Sequence, residues 1–385
     1  MSGDARPPVD LSIVIVNFNT TRFLPTLVAS IRSQEFRVEG RPGKLEIILI
    51  DNASKAEDAA ELEQLRSTDL SVVLNSLNVG YGQANNQGFH LGRGRYHLVL
   101  NPDVVMLPGC LQSMVGHLEQ TLETAMVSPL AYMEPSASVL MPPNQLPTPE
   151  LFQQQTRAQT DVEVFKRNLA ERTRLSYEYW TATAPLPMEM LSGCALLFRR
   201  ELYADEFPFD PAFPLYYEDT DMFIRLTERG ERMVHLFDAR ILHFWSQSAD
   251  THARGAHHRQ RLSEQLYYKK HFGDEGLASY EKSLAESLDN REQDRHLEPF
   301  DCVEVPATAE PPLFEFEVGA KIPPFFAEFA GNPIFTLAVG LFPDEEGAFT
   351  VSQPMWDLLG PGRYYIRAID RANFKTLRAW SVKKG

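Results

Sequence analysis

The chain has 385 residues, 43% of them hydrophobic, which is enough for two domains with sizeable cores. Its 37 basic and 52 acidic residues give a net charge of -15. That argues against a protein built to coat nucleic acid, while a nucleotide ligand stays open because a bound cation can offset local negative charge. Cys110, Cys194 and Cys302 are odd in number and far apart, so neither a disulfide framework nor a zinc spacing is present. That usage fits a reducing cytoplasm.

The first apolar, β-branched run covers residues 11–16 and stops at Asn17. A helix with Phe23, Leu24, Leu27, Val28 and Ile31 at helical spacing follows, with Thr20 or Thr21 as its cap and Pro25 in its first turn. Residues 45–50 read as a second buried strand ending at Asp51-Asn52, and residues 54–66 as a charged helix. A third strand, 71–74, leads to Asn75, Asn78, Gly80 and Gly82, then a short helix over 83–91. The fourth strand, 96–100, runs into Asn101-Pro102-Asp103, where the proline cannot continue a ladder. Strands alternating with helices predict a parallel sheet. Asn17, Asp51, Asn78 and Asp103 then share the carboxyl rim, where such sheets bind ligands. Each polar residue alone is ordinary turn chemistry; four on one rim are not.

Beyond residue 108 come a helix and a strand over 125–132. Residues 134–187 read as a Pro- and Gln-bearing insertion or loop over the site, with a helical stretch around 162–175. Strand character returns over 188–199, a helix over 217–228, two strands over 233–237 and 240–244, and terminal helices over 253–293. From 313 the pattern becomes short strands between Gly, Pro and Asp turns, as in a small antiparallel sandwich. The predicted division is therefore 1–295 and 296–385. The aromatics Trp356, Tyr364, Tyr365 and Trp380 suit sugar stacking and a sandwich core equally, and their general preference for burial favours the core. Residues 1–8 lack an apolar signal core and no stretch reaches the length of a membrane span, which predicts a cytoplasmic protein. The basic, aromatic segment 254–271 could meet anionic lipid at the inner face of the membrane. Packing as an amphipathic helix on the catalytic domain is the favoured reading.

Two constellations carry chemistry. In Tyr216-Tyr217-Glu218-Asp219-Thr220-Asp221-Met222-Phe223-Ile224-Arg225, Asp221 and Arg225 are spaced to pair on one helical face. Three carboxylates within four residues exceed what helix capping needs. In His243-Phe244-Trp245-Ser246-Gln247-Ser248, a histidine stands at a strand end, which alone is more often structural than a ligand.

These pieces together resemble a family 2 glycosyltransferase with a GT-A fold, and in particular the bacterial rhamnosyltransferase and galactofuranosyltransferase-like branch. The matching motifs are Ile13-Val14-Ile15-Val16-Asn17-Phe18-Asn19, Ile50-Asp51-Asn52-Ala53-Ser54, Asn78-Val79-Gly80-Tyr81-Gly82-Gln83-Ala84-Asn85-Asn86-Gln87-Gly88, Leu100-Asn101-Pro102-Asp103, Leu191-Ser192-Gly193-Cys194-Ala195, Glu218-Asp219-Thr220-Asp221, and His243 with Ser246 and Ser248. They occur in that order over residues 11–273.

The resemblance implies an α/β nucleotide-diphospho-sugar transferase domain followed by the small all-β domain. It implies that Asp51 contacts the base and that Asn17, Asn19, Asn78, Gly80, Asn86 and Gly193 belong to the nucleotide-sugar pocket. Asp103 matches the last acid of the family's DXD motif and would ligate a divalent cation, Mn²⁺ or Mg²⁺, with His243 as a further ligand. Asn101 departs from that motif, an amide where many members have an acid, and would meet ribose or a metal-bound water. Asp219 would be the catalytic base and Glu218 would shape the acceptor site. The implied partners are a dTDP- or UDP-sugar and a glycan or lipid-linked acceptor in surface polysaccharide synthesis, with a homo-oligomer left open and no nucleic acid. Two competing readings are a nucleotidyltransferase, disfavoured because Asn17-Phe18-Asn19-Thr20-Thr21-Arg22 has no glycine-rich phosphate loop, and a non-catalytic carbohydrate-binding protein, disfavoured by Asp103, Asp219 and His243.

Overall fold

The computed structural model describes residues 9–244, 253–293, 297–306, 309–317, 321–343 and 348–385. The chain begins β1 (Leu11–Asn17), α1 (Leu24–Arg32), β2 (Arg37–Val38), β3 (Arg41–Pro42), β4 (Leu45–Asp51), α2 (Asp58–Gln64) and β5 (Leu70–Leu74). It continues α3 (Tyr81–Leu91), β6 (Tyr96–Leu100), β7 (Val104–Met106), α4 (Cys110–Gln120), β8 (Thr124–Tyr132), β9 (Val139–Leu140), α5 (Pro149–Arg157), α6 (Val162–Trp180) and β10 (Leu186–Pro187). Then come β11 (Ala195–Arg199), α7 (Glu218–Glu228), β12 (Arg232–His243) and α8 (Ala253–Glu292), the last being two helices that meet at a kink at Gly273 (φ 68°), as the expected terminal helices should. The last part holds β13 (Val303–Val305), β14 (Phe314–Glu315), β15 (Phe325–Ala330), β16 (Ala338–Leu341), β17 (Ala348–Phe349), α9 (Gln353–Leu358), β18 (Gly362–Asp370) and β19 (Thr376–Lys384). Among the described residues no helix is long and apolar enough to cross a membrane.

Residues 1–130, 144–146 and 183–270 form one compact unit. Its sheet has the order β8-β11-β6-β1-β4-β5. β1 is buried along its whole length, as a strand covered on both faces should be. It runs parallel to β4 and β6, and β4 runs parallel to β5, with Asn17 level with Asp51. β11 is antiparallel to β6, pairing Ala195 with Leu100, so the residues before β11 arrive at the rim where β6 ends. β12 pairs antiparallel with β7 and sets His243 opposite Val104, next to Asp103.

Local readings from sequence change in four places, the first being the strand read over 188–199, of which only β11 (Ala195–Arg199) forms. Thr20 makes no cap; its hydroxyl donates to Asn17 Oδ1 at 2.7 Å, and a 3₁₀ turn (Thr21–Phe23) precedes α1. α2 starts at Asp58 rather than residue 54, because the Ser54 hydroxyl and amide are bound to Asp51. The two strands read at 233–237 and 240–244 are one, β12: Asp238 and Arg240 are outward residues of an alternation around buried Ala239. Trp245, Ser246 and Ser248 lie outside the described residues.

A second unit comprises residues 131–143, 147–182 and 271–385, a division that differs from the predicted boundary at 295. Its sheet runs β13-β19-β18-β15-β16-β9. One face carries Phe325, Ala327, Phe329, Ile366 and Trp380, packed with Phe314, Phe349 and Trp356 from the β14–β17 ribbon and α9. Both tryptophans are thus core residues, whereas Tyr364 and Tyr365 are half-buried. The second layer expected of a sandwich is only this ribbon and short helix. The opposite face is covered by α6, where Tyr177 meets Phe326 at 4.9 Å between ring centroids. The helical stretch expected around 162–175 is α6, whose aromatic residues cover this sheet face.

Beneath α6, Glu328 and Arg367 are buried and paired at 2.6 Å, and Arg172 approaches the same carboxylate oxygen at 3.3 Å. Burial, and then the charge of Arg367, hold Arg172 down at about 10. Glu328→Ala leaves two guanidinium groups without their counter-charge, so it is expected to cost about 3–5 kcal/mol. Urea unfolding of the variant measures it, and a loss under about 1 kcal/mol would contradict the assignment of this pair as a structural lock.

Candidate active site

The rim is built from four turns stitched together by side chains. At the ends of β1 and β4, Asn17 is fully buried and its Nδ2 donates to Asp51 Oδ1 at 2.8 Å, Thr21 Oγ1 at 3.1 Å and Ser54 Oγ at 3.1 Å. The Ser54 amide donates to the other oxygen of Asp51 at 3.0 Å. Asn19, at φ 58°, donates its amide to Ser54 Oγ and accepts from the Lys55 amide. Asn17 therefore spends its amide holding the turn that carries Asp51.

After β5, Asn78 is exposed and its Oδ1 accepts from Asn52 Nδ2 and from the Gly80 amide, each at 3.0 Å. Gly80 stands at φ 91° directly before α3, a conformation that costs glycine little. Asn86 is buried and clamps the Phe209 backbone through its amide, donating at 2.7 Å and accepting at 3.2 Å. Its role is to fix the 209 loop on α3.

β6 ends at Asn101, whose amide donates to the Cys194 carbonyl at 2.9 Å and whose Oδ1 accepts from the Tyr81 hydroxyl at 2.7 Å. Asp103 is 2% exposed, with Oδ1 3.4 Å from His243 Nε2. Asp103 Oδ1 and His243 Nδ1 are both buried without a hydrogen-bond partner. Burial alone would disfavour a proton on His243, but Cys194 and Asp103 outweigh it and hold its pKa up at about 10. The spot calls for positive charge, which a proton or a cation can supply. Among the described residues no group of three or more His, Cys, Asp or Glu side chains is set to hold a metal ion. Asp103 Oδ1 and the His243 Nε2 that faces it, once the imidazole gives up its proton, still fit a hard divalent cation that takes its other ligands from phosphate oxygens and water.

Glu218 and Asp219 open α7 behind two consecutive left-handed tyrosines, Tyr216 (φ 60°) and Tyr217 (φ 66°). Such a pair costs on the order of 1–2 kcal/mol per residue, and strain of that kind gathers at functional sites. Burial, and then the charge of Asp219, push the Glu218 carboxyl above its usual range; burial also raises Asp219. The Thr220 amide donates to Asp219 Oδ1 at 2.7 Å and fixes its orientation. Behind them Asp221 is held by Arg225 at 2.9 Å and Lys270 at 2.6 Å, so the predicted Asp221–Arg225 pair forms and the third acid serves structure.

Gly193 and Cys194 join the two acidic sets. A Cβ at Gly193 would stand 2.2 Å from Asp219 Oδ2, while the carbonyl of its neighbour Cys194 accepts from the Asn101 amide at 2.9 Å, two residues before Asp103. Gly193→Ala would therefore displace the Asp219 carboxylate. A drop in transfer of about tenfold or more is expected, with a melting temperature close to wild type, because the obstructed atom is a side-chain tip. Unchanged transfer would remove the need for glycine here.

The comparisons with known proteins now bear on this rim. A family model described as Glycosyl transferase family 2 matches residues 12–207. The chain belongs to that family. An uncharacterized glycosyltransferase of Haemophilus influenzae is 26% identical over 110 residues, 29% of this chain and 35% of the relative. One of Methanocaldococcus jannaschii is 26% identical over 122 residues, 31% of this chain and 40% of the relative. The matches thus span well under half of those relatives' length. Among solved structures, S. aureus TarS 1-349 aligns with 74% of this chain and 72% of its own at 16% identity and a TM-score of 0.41. The mannosyltransferase PcManGT of Pyrobaculum calidifontis, in complex with GDP-Man and Mn²⁺, aligns with 74% and 75% at 15% identity and 0.44. The fold expected with the family, an α/β GT-A domain with a C-terminal β region, is the one observed.

Sequence reasoning quoted Asn52, Ser54, Tyr81 and Cys194 inside motifs without giving them work. Asn52 organises the Asn78–Gly80 turn, accepting also from the Val79 and Asn75 amides. The available signal was the unbroken Asp51-Asn52-Ala53-Ser54 run, too polar for a simple turn.

Proposed function

We propose that this glycosyltransferase is inverting and metal-dependent. It would move a sugar from a nucleotide-diphosphate donor to a hydroxyl of a glycan or lipid-linked acceptor in surface polysaccharide synthesis. dTDP-rhamnose is the first donor to test, with UDP-galactofuranose and other UDP-hexoses next, following the branch that the motifs resemble. The observation that supports the reading is the junction at Gly193-Cys194: the first residue abuts the Asp219 carboxyl, and the carbonyl of the second accepts from the Asn101 amide, two residues before Asp103.

In this reading Asp51 meets the base and Asn78, Gly80 and Asn101 line the ribose and diphosphate. A divalent cation held by Asp103 and His243 would offset the charge of the leaving diphosphate. Asp219 accepts the proton of the acceptor hydroxyl as its oxygen attacks the anomeric carbon. The nucleotide diphosphate departs from the opposite face, so a single displacement inverts the configuration, by the stereochemical logic of inverting glycosidases. Glu218, buried beside Asp219 and held above its usual range by burial and by the charge of Asp219, would shape the acceptor side.

A panel of nucleotide sugars, incubated with the protein and either MnCl₂ or MgCl₂, tests this by release of nucleoside diphosphate. One sugar should be hydrolysed slowly and only with metal. Hydrolysis of none, or hydrolysis indifferent to chelation, would sink the reading.

A further inference from the structure

Tyr81 opens α3 and is half-buried. Its hydroxyl donates to Asn101 Oδ1 at 2.7 Å. The same turn lies against the acceptor-side carboxylate: a Cβ at Gly82 would be 3.3 Å from Glu218 Cβ. Burial, and then the charge of Glu218, push the Tyr81 phenol well above its ordinary range, so it stays protonated and remains a donor. Asn101 Nδ2 makes no hydrogen bond among the described residues, and the side chain is only half-buried.

With the amide oxygen turned to the Tyr81 hydroxyl, the amide nitrogen is the polar atom of Asn101 left without a partner, although the oxygen keeps a second lone pair. A carboxylate at residue 101 would behave oppositely: it accepts only, and its second oxygen stays available whatever Tyr81 does. An amide nitrogen facing a nucleotide bonds a charged phosphate oxygen in preference to a neutral ribose hydroxyl. We propose that Tyr81 is a specificity-determining residue: by holding the Asn101 oxygen toward itself it turns the unpartnered amide nitrogen outward as a donor toward the diphosphate, so binding gains little from a ribose 2′-hydroxyl. This rests on the nucleotide-sugar reading of the rim. It goes beyond that reading in predicting tolerance of deoxyribose nucleotides and naming its cause.

Calorimetric titration with UDP and with 2′-deoxy-UDP, each with MnCl₂, tests it, because the two ligands differ only in that hydroxyl. Wild type should bind both within about threefold. Tyr81→Phe frees the amide to turn its oxygen to the hydroxyl, and Asn101→Asp supplies a carboxylate oxygen. Each should favour UDP by about fivefold or more over the wild-type ratio, the worth of one ordinary hydrogen bond. A purely structural Tyr81 would weaken both ligands equally and leave the ratio unmoved. A wild-type preference for UDP above threefold, or either variant keeping the wild-type ratio, overturns the inference. Wild type binding neither of these nor dTDP would remove the proposed function, and this inference with it; binding dTDP alone would overturn the inference and leave that function standing.

Discussion

Asp219→Asn is expected to lower sugar transfer by about 10²–10⁴-fold, the usual worth of a positioned general base. Nucleoside-diphosphate binding should stay within about twofold of wild type, since no donor-side contact is altered. The amide is isosteric, and its oxygen can still accept from the Thr220 amide that orients Asp219 at 2.7 Å. What it cannot do is take a proton from an attacking hydroxyl. Near-normal transfer in this variant would remove Asp219 from the base role.

The same carboxyl sets the pH profile. Burial raises Asp219 above its ordinary value, and only its ionised form is a base, so transfer should fall as pH drops through that raised value. The residual activity of Asp219→Asn should lack that limb. The stability effect has the opposite sign. A carboxyl whose folded pKa is raised contributes stability fully present below its unfolded pKa, near 4, and lost as pH rises through the folded value. Wild type therefore carries a cost at neutral pH that the amide does not. Melting curves at pH 5 and pH 8 should show Asp219→Asn gaining on wild type as pH rises. Parallel behaviour at both values would contradict the upward shift.

Much of this rim was legible in the sequence because its parts are local. A strand buried on both faces must be mostly apolar, as β1 and β6 are apart from Ser12 and His97, and the polar residue that ends each run marks the rim. Parallel direction then follows from the intervening helices, which brings Asn17 level with Asp51. What failed was everything decided by a distant partner. Thr20 is a good cap by type, but its hydroxyl finds Asn17 first. The polar stretch 134–187 reads as a loop until a sheet face more than a hundred residues away supplies Phe326 and Glu328 for α6 to cover. Tyr81 is one more aromatic in a helix, and only the approach of β6 makes its hydroxyl the partner of Asn101. Gly193 shows the same limit from the other side: its need for a missing Cβ is set by Asp219, 26 positions later in the chain.

Asp103→Ala is expected to remove the metal dependence of nucleotide binding rather than nucleotide binding itself. Wild type should bind UDP or dTDP more tightly with MnCl₂ than with EDTA, and the variant should lose at least about 10–100-fold of that affinity and match the EDTA value under both conditions. The geometry makes the effect specific. Asp103 Oδ1 is buried, 3.4 Å from His243 Nε2 and without a hydrogen bond, so its removal breaks no bond at that atom. In the metal-free protein His243 is its counter-charge, and on loss of the carboxylate the imidazole can shed its proton, so the melting temperature in EDTA should fall only modestly. His243→Ala should move metal dependence the same way, and the double variant should be no weaker than Asp103→Ala alone, because two ligands of one cation fail as a unit. An unchanged metal titration in Asp103→Ala would refute the cation site. A melting temperature that falls steeply in EDTA would instead make Asp103 a structural acid whose partner is His243. That outcome would return the balance of negative charge on the rim to Glu218 and Asp219 alone.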